Sequence, residues 1–491
     1  MTDVSRFLSA AAGVIGREHV IGDPAELAPF ARQMMPIPEE AHAPGGAVAP
    51  KTVEEVQALL RLAREHKVPL WPTSTGRNFG YGTSGTATPG QVVLELRRMN
   101  RILDIDPVLC TALVEPGVTY QMLADRIAAE KLPLWLDFPA PGPLVGPIGN
   151  TLERGGGTTP YGDHFANSCG YEVVLADGTV LRTGMGGVKN TTSWQSYRYG
   201  YGPFLDGIFT QSNYGVVTKM GLWLMPAPPA FRTGMAVWDR PEAVGTIIDT
   251  LRPLRFDGTI GNFGTLADST LILASTMKRA ELYSGPGSIP LDVSLTAARA
   301  KGLGAWMYLF SVYGRPDRVA SDWAVVKQAV EGSGGRLVPD VPDPMQVGTL
   351  SLQTFALLNF VPGGGLAWFS PIAPMRGADV ARQMALAREI MGRHGVDFMT
   401  GMTLNGREGL NVMPMLFDRT DDDAVRRNKA CFDALITGFG DAGYGLYRTG
   451  LGFMDQVAET FGQAQMDVNR RLKRALDPDG IIAPGKSGIR L

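Results

Sequence analysis

The sequence predicts an α+β fold divided between two domains. A chain of 491 residues is too long for one compact core. A helical pattern, a short strand and a glycine-rich loop follow one another between residues 52 and 85, which indicates mixed α and β elements in the first half. The run MGLWLMPAPP at Met220–Pro229 then places three prolines close together, and we expect the domain boundary there.

The first predicted helix covers about residues 52–66. Thr52 and Glu55 have the spacing of a capping box, and the apolar residues that follow recur on one helical face. A strand at 68–71 follows. The loop from Thr73 to Gly85 is then rich in glycine and hydroxyl residues. This order suggests a turn that holds phosphate.

Further elements follow along the first domain. Strands are predicted at 92–96, 112–115, 172–175 and 180–181, with a helix over about 120–131. The segment GPLVGPIGNTLERGGG at 142–157 is so rich in glycine and proline that no regular element is expected in it. Its backbone is expected to pass very close to something bulky, for which a ligand is one candidate.

The second half, from about 230 to 450, alternates strands with helices, two of which are predicted at 379–393 and about 421–436. A last helix is expected near 457–475. The tail DPDGIIAPGKSG at 477–488 has the composition of successive turns.

Composition excludes several classes of protein. The 46 basic residues nearly balance 48 acidic ones, and no basic stripe interleaved with aromatic residues indicates nucleic-acid binding. No apolar run is long enough to span a membrane and no secretion signal is apparent, so a cytoplasmic protein is expected. The three cysteines are far apart, which predicts buried free thiols in a reducing compartment and no metal site.

The motif Gly80-Tyr81-Gly82-Thr83-Ser84-Gly85 has the spacing of a dinucleotide-binding turn. In that arrangement a helix must follow, whereas TATPGQVVLEL predicts a turn and a strand, which argues against an NAD site. Successive backbone N–H groups can still bind pyrophosphate, and Ser74, Thr75 and Asn78 add donors. An ordinary tight turn is the alternative.

Two other features have a structural and a functional interpretation. Tyr447-Arg448 could stabilise an anion by charge-assisted hydrogen bonds. A surface arginine beside a packed tyrosine is the structural interpretation of the same two residues. His164 lies among glycines, but a structural histidine is the more common case. With five histidines in all, the chain offers no set for hydrolysis.

Several segments together resemble the vanillyl-alcohol oxidase and p-cresol methylhydroxylase family of flavoproteins. They are GRNFGYG at 76–82, LVGPIGNTLERGGGTTPYGDHF at 144–165, EVVLADGTVLRTGMGG at 172–187, YGPFLDGIFTQSNYGVVTKMGLWLMP at 201–226, GYGLYRT at 443–449 and LDPDGIIAPGKSGI at 476–489. The resemblance covers most of the chain. The 201–226 segment is more similar to the p-cresol methylhydroxylase flavoprotein subunit than to the oxidase.

The resemblance implies an FAD-binding domain over 1–226, completed by 455–491, and a cap domain over 227–454 built on a large antiparallel sheet. It also implies that Tyr81, Tyr447 and Arg448 hold a substrate phenol. The implied FAD-binding residues are Thr73, Ser74, Thr75, Gly76, Arg77, Asn78, Gly80, Gly149, Asn150, Gly155, Gly156, Gly157 and Lys486.

The trio predicts a reaction. An arginine and tyrosine hydroxyls favour the ionised form of a phenol, whose para carbon then becomes electron-rich. Hydride loss from the attached carbon to FAD would give a quinone methide. We expect oxidation of a 4-alkylphenol, a 4-hydroxybenzyl alcohol or a lignin-derived phenol. The alternatives are a lyase that fragments a phenolic dimer and releases a small carbonyl such as formaldehyde, and a flavin-binding relic with a structural role.

The chain departs from the family where relatives bond the flavin covalently, at a histidine or a tyrosine. Leu366 and Leu358 match those two positions, so non-covalent FAD with a lower reduction potential is expected. Acidic residues of relatives match Ala140, Thr354 and Gly401, and two histidines match Leu410 and Asn411. The family also implies a homodimer. A cytochrome partner is possible, but the missing secretion signal disfavours it.

Overall fold

The computed structural model describes residues 3–139, 142–339, 341 and 356–491. Within them the strands form sheets of four, five, two and eight strands. In chain order the strands are β1 (Val20–Ile21), β2 (Gly46–Val48), β3 (Leu70–Thr73), β4 (Val92–Glu95), β5 (Ile102–Asp106), β6 (Thr111–Val114), β7 (Leu134–Trp135), β8 (Ser168–Val174), β9 (Val180–Arg182), β10 (Val216–Trp223), β11 (Met225–Pro226), β12 (Ala230–Trp238), β13 (Thr265–Asp268), β14 (Trp306–Gly314), β15 (Arg336–Pro339), β16 (Gly365–Pro374), β17 (Gly401–Leu404), β18 (Glu408–Phe417) and β19 (Leu446–Arg448).

The α-helices of the described residues differ widely in length. They are α1 (Asp3–Ile15), α2 (Pro24–Ala31), α3 (Val53–His66), α4 (Tyr120–Ala129), α5 (Pro147–Leu152), α6 (Val244–Phe256), α7 (Ser269–Ala274), α8 (Arg279–Leu282), α9 (Leu291–Ala300), α10 (Pro316–Gly332), α11 (Gly377–Arg393), α12 (Asp422–Asp441), α13 (Met454–Glu459) and α14 (Gln463–Leu476). None of them is both long and apolar enough to cross a lipid bilayer.

The predicted helix at 52–66 and the strand after it are confirmed, with one shift in the strand. Thr52 Oγ1 accepts a hydrogen bond from the backbone N–H of Glu55 at 3.2 Å and so caps α3. The helix then ends with Lys67 in the left-handed conformation, and the Val68 N–H still bonds to the Ala63 carbonyl. Strand β3 therefore begins at Leu70, two residues later than expected.

Two expectations about regular structure are wrong. Helix α5 forms inside the segment that was expected to hold none, because Pro147 occupies its first turn, where a missing N–H costs nothing. The single helix expected near 457–475 is two helices, α13 and α14. Gly462 separates them with a φ of 81°, which a helix cannot accommodate.

The cysteine expectation holds for two of the three residues. Cys169 and Cys431 are buried and free, whereas Cys110 is partly exposed. Cys110 lies in the tight connection between β5 and β6, with a φ of 53°, and such a turn projects its side chains toward solvent. No three His, Cys, Asp or Glu side chains of the described residues come together as metal ligands would.

The eight-stranded sheet has the order β15-β12-β14-β13-β17-β18-β16-β19, and its pairs are antiparallel. Side chains alternate between its faces along β16. Phe369 packs edge-on against Phe432 and Phe439 of α12. The opposite face of β16 carries Trp368 and Ser370, and these residues face the glycine-rich loop after β3.

The end of the chain returns to the first sheet. The Leu70 N–H donates to the Ile481 carbonyl and the Ala483 N–H to the Leu70 carbonyl, both at 2.7 Å. Residues 481–483 thus run alongside β3. Lys473 of α14 is fully buried and donates to Asp477 Oδ2 at 2.6 Å and to the carbonyls of Asn213 at 2.8 Å and Ile482 at 2.6 Å. The predicted division into two domains stays a prediction.

Candidate active site

A cavity lies where the loop after β3, helix α5, the segment before β10, strand β19 and the end of the chain meet. Eleven of the predicted site residues line it, namely Thr73, Ser74, Thr75, Gly76, Arg77, Asn78, Tyr81, Gly149, Asn150, Arg448 and Lys486. The fold therefore brings together residues that are more than 400 positions apart in the sequence. Tyr447 lines an adjoining open cleft instead.

The loop after β3 offers hydrogen-bond donors to this cavity. The N–H groups of Tyr81 and Thr83 both donate to the Asn78 carbonyl, at 3.1 and 3.0 Å, and so close the turn. Among the described residues, none accepts a hydrogen bond from the backbone N–H groups of 75–78. Thr73 Oγ1 is also buried without a partner there. Unpaired polar groups of this kind are expected where an anionic group binds.

Close packing explains the glycines on the cavity wall. A Cβ at Gly146 would lie 2.3 Å from Ser74 Oγ, and one at Gly149 would lie 3.0 Å from Ser74 Cβ. The Gly146 N–H donates to Thr75 Oγ1 at 3.0 Å. Helix α5 and the loop after β3 therefore need small residues to approach each other this closely.

Four of the predicted cofactor-binding glycines do not line the cavity. A Cβ at Gly80 would lie 2.5 Å from the indole of Trp368, and Gly155, Gly156 and Gly157 pack against Asn150, the Gly162 carbonyl and Asp137. Contacts within the protein thus account for each of them. Their direct contact with a cofactor stays a prediction.

The structure brings the predicted phenol-binding residues close together, with Tyr81 and Arg448 on the cavity wall and Tyr447 beside Tyr81. The Arg448 guanidinium lies 4.1 Å above the centre of the Tyr81 ring and also donates to Asn78 Oδ1. The Tyr81 hydroxyl is 3.1 Å from Ser370 Oγ. Burial, with a smaller effect of Tyr447, raises the pKa of Tyr81 well above its usual value despite the opposing effect of Arg448. Tyr81 is therefore a neutral hydroxyl, able to donate a hydrogen bond to an anion.

The residues at the positions of covalent attachment are apolar. Leu366 of β16 is fully buried and contacts the loop at Gly80, and Leu358 lies half-buried in the short 3₁₀ helix Ala356–Asn359. Neither side chain has a nucleophilic atom. Ala140 and Thr354 lie outside the described residues.

Two of the other substituted positions have structural roles. Asn411 is buried on the face of the sheet toward α11, where it accepts a hydrogen bond from Thr400 Oγ1 and donates to Gln383 at 3.0 Å. A Cβ at Gly401 would lie 3.0 Å from Leu271. These two positions carry no ionisable group in this protein.

Sequence reasoning missed Glu153 and Gln211. The Glu153 carboxylate pairs with Lys486 and lies 3.9 Å from Arg448 Nε, while Gln211 Nε2 donates to the Tyr447 carbonyl at 2.7 Å. Although burial raises the pKa of Glu153, Lys486 and Arg448 outweigh that effect and hold it below its usual value. The one feature of the sequence that could have pointed to Glu153 is its position as an acidic residue within the glycine-rich segment GNTLERGGG.

His164 belongs to a buried network behind the cavity wall, in agreement with its structural interpretation. Its Nε2 is 2.7 Å from Asp137 Oδ1 and its Nδ1 is 2.5 Å from Asn150 Oδ1. Asp137 Oδ2 also accepts the Thr159 N–H at 2.6 Å. Because Asn150 lines the cavity, this network fixes one of its walls.

Known proteins match the chain in sequence and in structure. Residues 44–184 match the FAD binding domain family, and residues 292–487 match the C-terminal domain of FAD linked oxidases. The 4-cresol dehydrogenase [hydroxylating] flavoprotein subunit of Pseudomonas putida is 42% identical over 97% of this chain and 94% of its own. The 1'-carboxy-chondrochloren decarboxylase of Chondromyces crocatus is 30% identical over 99% of this chain and 98% of its own.

A solved structure of p-cresol methylhydroxylase with substrate bound superimposes with a TM-score of 0.97 at 40% identity, covering 99% of this chain and 97% of that one. The unpaired donors of the loop after β3, together with the ammonium group of Lys486, fit a cofactor that carries a pyrophosphate. The chain therefore belongs to the vanillyl-alcohol oxidase and p-cresol methylhydroxylase family of FAD-linked oxidases, and it is an FAD-dependent oxidoreductase.

Proposed function

We propose that this enzyme oxidises a para-substituted phenol at the carbon attached to the ring. The observation that carries the proposal is the arrangement of Arg448 over Tyr81, with the neutral Tyr81 hydroxyl beside it, on the wall of the cavity. A guanidinium and a hydroxyl donor recognise a phenolate oxygen. Two of the matched proteins have names that refer to 4-cresol, also called p-cresol, which is a para-substituted phenol.

The residues of the site would act on the substrate oxygen. Arg448 lowers the free energy of the ionised phenol, and the tyrosine hydroxyls donate hydrogen bonds to it. Ionisation increases electron density at the para carbon, so hydride loss from the attached carbon becomes easier and leaves a quinone methide. FAD, when bound, supplies the hydride acceptor. Thr73 to Asn78, Gly149, Asn150 and Lys486 would hold it.

We also propose that FAD is bound without a covalent link. Leu366 is buried in an apolar cluster and Leu358 packs against it, so neither position can form the bond. Precipitating the purified holoenzyme with acid tests this directly. Flavin in the supernatant is the expected result, and flavin in the pellet would refute it.

Arg448→Met tests the function. The variant keeps an unbranched apolar stem but removes the guanidinium, and with it both the charge and the contact with the Tyr81 ring. We expect FAD to stay bound and the rate of flavin reduction by a 4-alkylphenol at neutral pH to fall by at least 100-fold, since charge-assisted contacts with reacting groups contribute about 3 kcal/mol or more. Arg419→Met removes a guanidinium that pairs with Glu39 away from the site and serves as the control. Unchanged reduction in Arg448→Met would refute the proposal.

A lyase that uses the same phenolate activation is the second candidate. The decarboxylase match is a relative whose name denotes breaking a carbon–carbon bond. A lyase would fragment a phenolic dimer through a quinone methide without consuming an electron acceptor. Anaerobic turnover with no acceptor and no lasting loss of the oxidised flavin spectrum would favour the lyase over the oxidase or dehydrogenase.

The remaining assignments are proposals of the same standing. We propose an FAD-binding domain formed by 1–226 and 455–491 with a cap domain over 227–454, a homodimer, and a cytoplasmic location. The Pseudomonas putida relative is named a subunit, so a cytochrome or other redox partner is a further possibility to test. Gel filtration measures the oligomeric state, and reduction of added cytochrome c measured against oxygen uptake identifies the acceptor.

A further inference from the structure

Glu153 lies on a wall shared by two spaces. It borders the FAD cavity on one side and, on the other, the open cleft that Tyr447 lines. Arg448 and Lys486 border both spaces as well. The carboxylate is 21% exposed, which places it within the site rather than on the outer surface.

The three side chains form one charge cluster. Glu153 Oε1 makes a close ion pair with the Lys486 ammonium, and Glu153 Oε2 lies 3.9 Å from Arg448 Nε. Arg154, the next residue, adds a weaker positive influence on the carboxylate. With Glu153 ionised, the cluster of Glu153, Arg448 and Lys486 carries one net positive charge. Without the negative charge of Glu153 it would carry two.

Glu153 also limits how Arg448 can move. One terminal nitrogen of Arg448 donates a hydrogen bond to Asn78, and the guanidinium lies over the Tyr81 ring. The Nε of Arg448 is buried and makes no hydrogen bond within the described part of the chain. The Glu153 carboxylate, 3.9 Å away, faces this edge of the guanidinium. The guanidinium is thus held on three sides.

We infer that Glu153 is a positioning residue that fixes Arg448 and Lys486 and offsets part of their charge, and so sets how strongly the site favours an anionic phenol and an anionic reduced flavin. The inference rests on the proposed function for its phenol part. Its flavin part depends only on FAD being bound. A measurement on the flavin can therefore test the inference even if the proposed function is wrong.

Glu153→Gln tests the inference because it keeps the size of the side chain and removes the charge. An opposite charge within about 4–6 Å shifts an ionisation equilibrium by at least about tenfold. We expect the apparent pKa of a bound 4-alkylphenol inhibitor, followed by its absorbance, to fall by about one unit. We also expect the two-electron reduction potential of FAD to rise by about 30 mV, which is a tenfold change.

Two variants separate charge from structure. Glu153→Asp keeps the negative charge and should retain most of the parent potential, whereas a purely steric role would leave the isosteric Glu153→Gln unchanged and make the shorter Glu153→Asp the harmful variant. Glu172→Gln removes another buried carboxylate, one that pairs with Arg182 and Lys219 and lines neither space, so it should leave the potential unchanged.

Each outcome has a definite meaning. A raised potential with no phenolate binding in any variant would support the role of Glu153 toward FAD and refute the phenol function. Phenolate binding in the parent enzyme, with the potential and the phenol pKa both unchanged in Glu153→Gln, would refute the inference and leave the function intact. A rise in the potential as large in Glu153→Asp as in Glu153→Gln would also overturn it, because Glu153→Asp retains the negative charge.

Discussion

Replacing Lys473 by methionine should lower the free energy of unfolding of the protein by more than replacing an exposed lysine does. The ammonium group is fully buried, and three oxygens accept its hydrogen bonds, from Asp477, Asn213 and Ile482. Methionine fills similar space but donates none of them. The Asp477 carboxylate would then be buried without its cation.

The structure sets the magnitude. Removing one partner of a buried ion pair costs about 3–5 kcal/mol, because the other charge stays uncompensated. Asp477 keeps two hydrogen bonds, from the N–H groups of Ile481 at 3.0 Å and Ile482 at 2.8 Å, which argues for the lower half of that range. Adding Asp477→Asn to Lys473→Met removes the unpaired buried charge and should restore part of the lost free energy of unfolding.

Lys429→Met is a matched control. Lys429 pairs with Asp433 at 2.7 Å with the same spacing of four residues, but both side chains are about 40% exposed. An exposed pair of this kind contributes about 0.3–0.5 kcal/mol. Urea unfolding of the holoprotein, followed by far-ultraviolet circular dichroism and by flavin release, measures both variants. If Lys473→Met shifted the midpoint no more than Lys429→Met, the reasoning from burial would be refuted.

Three further changes have defined outcomes. Tyr81→Phe should weaken binding of a phenolate inhibitor about 10- to 100-fold while FAD stays bound, because a hydrogen bond to a charged group contributes about 1.5–3 kcal/mol. Titration of the flavin spectrum with the inhibitor measures this affinity, and an unchanged affinity would contradict a hydrogen bond from Tyr81 to the phenolate. Asp137→Asn should lower the stability by about 1–3 kcal/mol, since it weakens the buried contact with His164; the urea midpoint tests this, and no shift would contradict it. Gly80→Ala should weaken FAD binding to the apoprotein, because the added Cβ would lie 2.5 Å from Trp368 and the φ of residue 80 is 73°. A fluorescence titration measures the affinity, and an affinity equal to that of the parent protein would show that the loop adapts.

The sequence allowed elements in the first half of the chain to be predicted because their signals are local. The Thr52 cap, the apolar face of α3 and the glycine loop are each contained within a few neighbouring residues. Tyr81, Tyr447 and Arg448 could be joined only through the family resemblance. Nothing in the spacing of residues 81 and 448 indicates that a guanidinium lies over a phenol ring.

The errors follow from competition between local and tertiary effects. The glycines of 142–157 suggested irregular chain, yet Pro147 and the contact with Ser74 stabilise a short helix. The split between α13 and α14 depends on one glycine whose φ is positive. Glu153 was missed because a lone acidic residue has no pattern. Its importance comes from two cations that other segments of the chain supply.

The return of residues 481–486 to the first sheet has a consequence for synthesis. A ribosome delivers the chain from its amino end, so β3 and the loop after it emerge some 400 residues before Ile482, Ala483 and Lys486, which complete the wall of the cavity. If Lys486 holds FAD as proposed, full binding of the cofactor must wait until translation has passed this residue. A product that lacks residues 481–486 would lack this part of the cavity wall, and we expect it to bind FAD more weakly than the full chain.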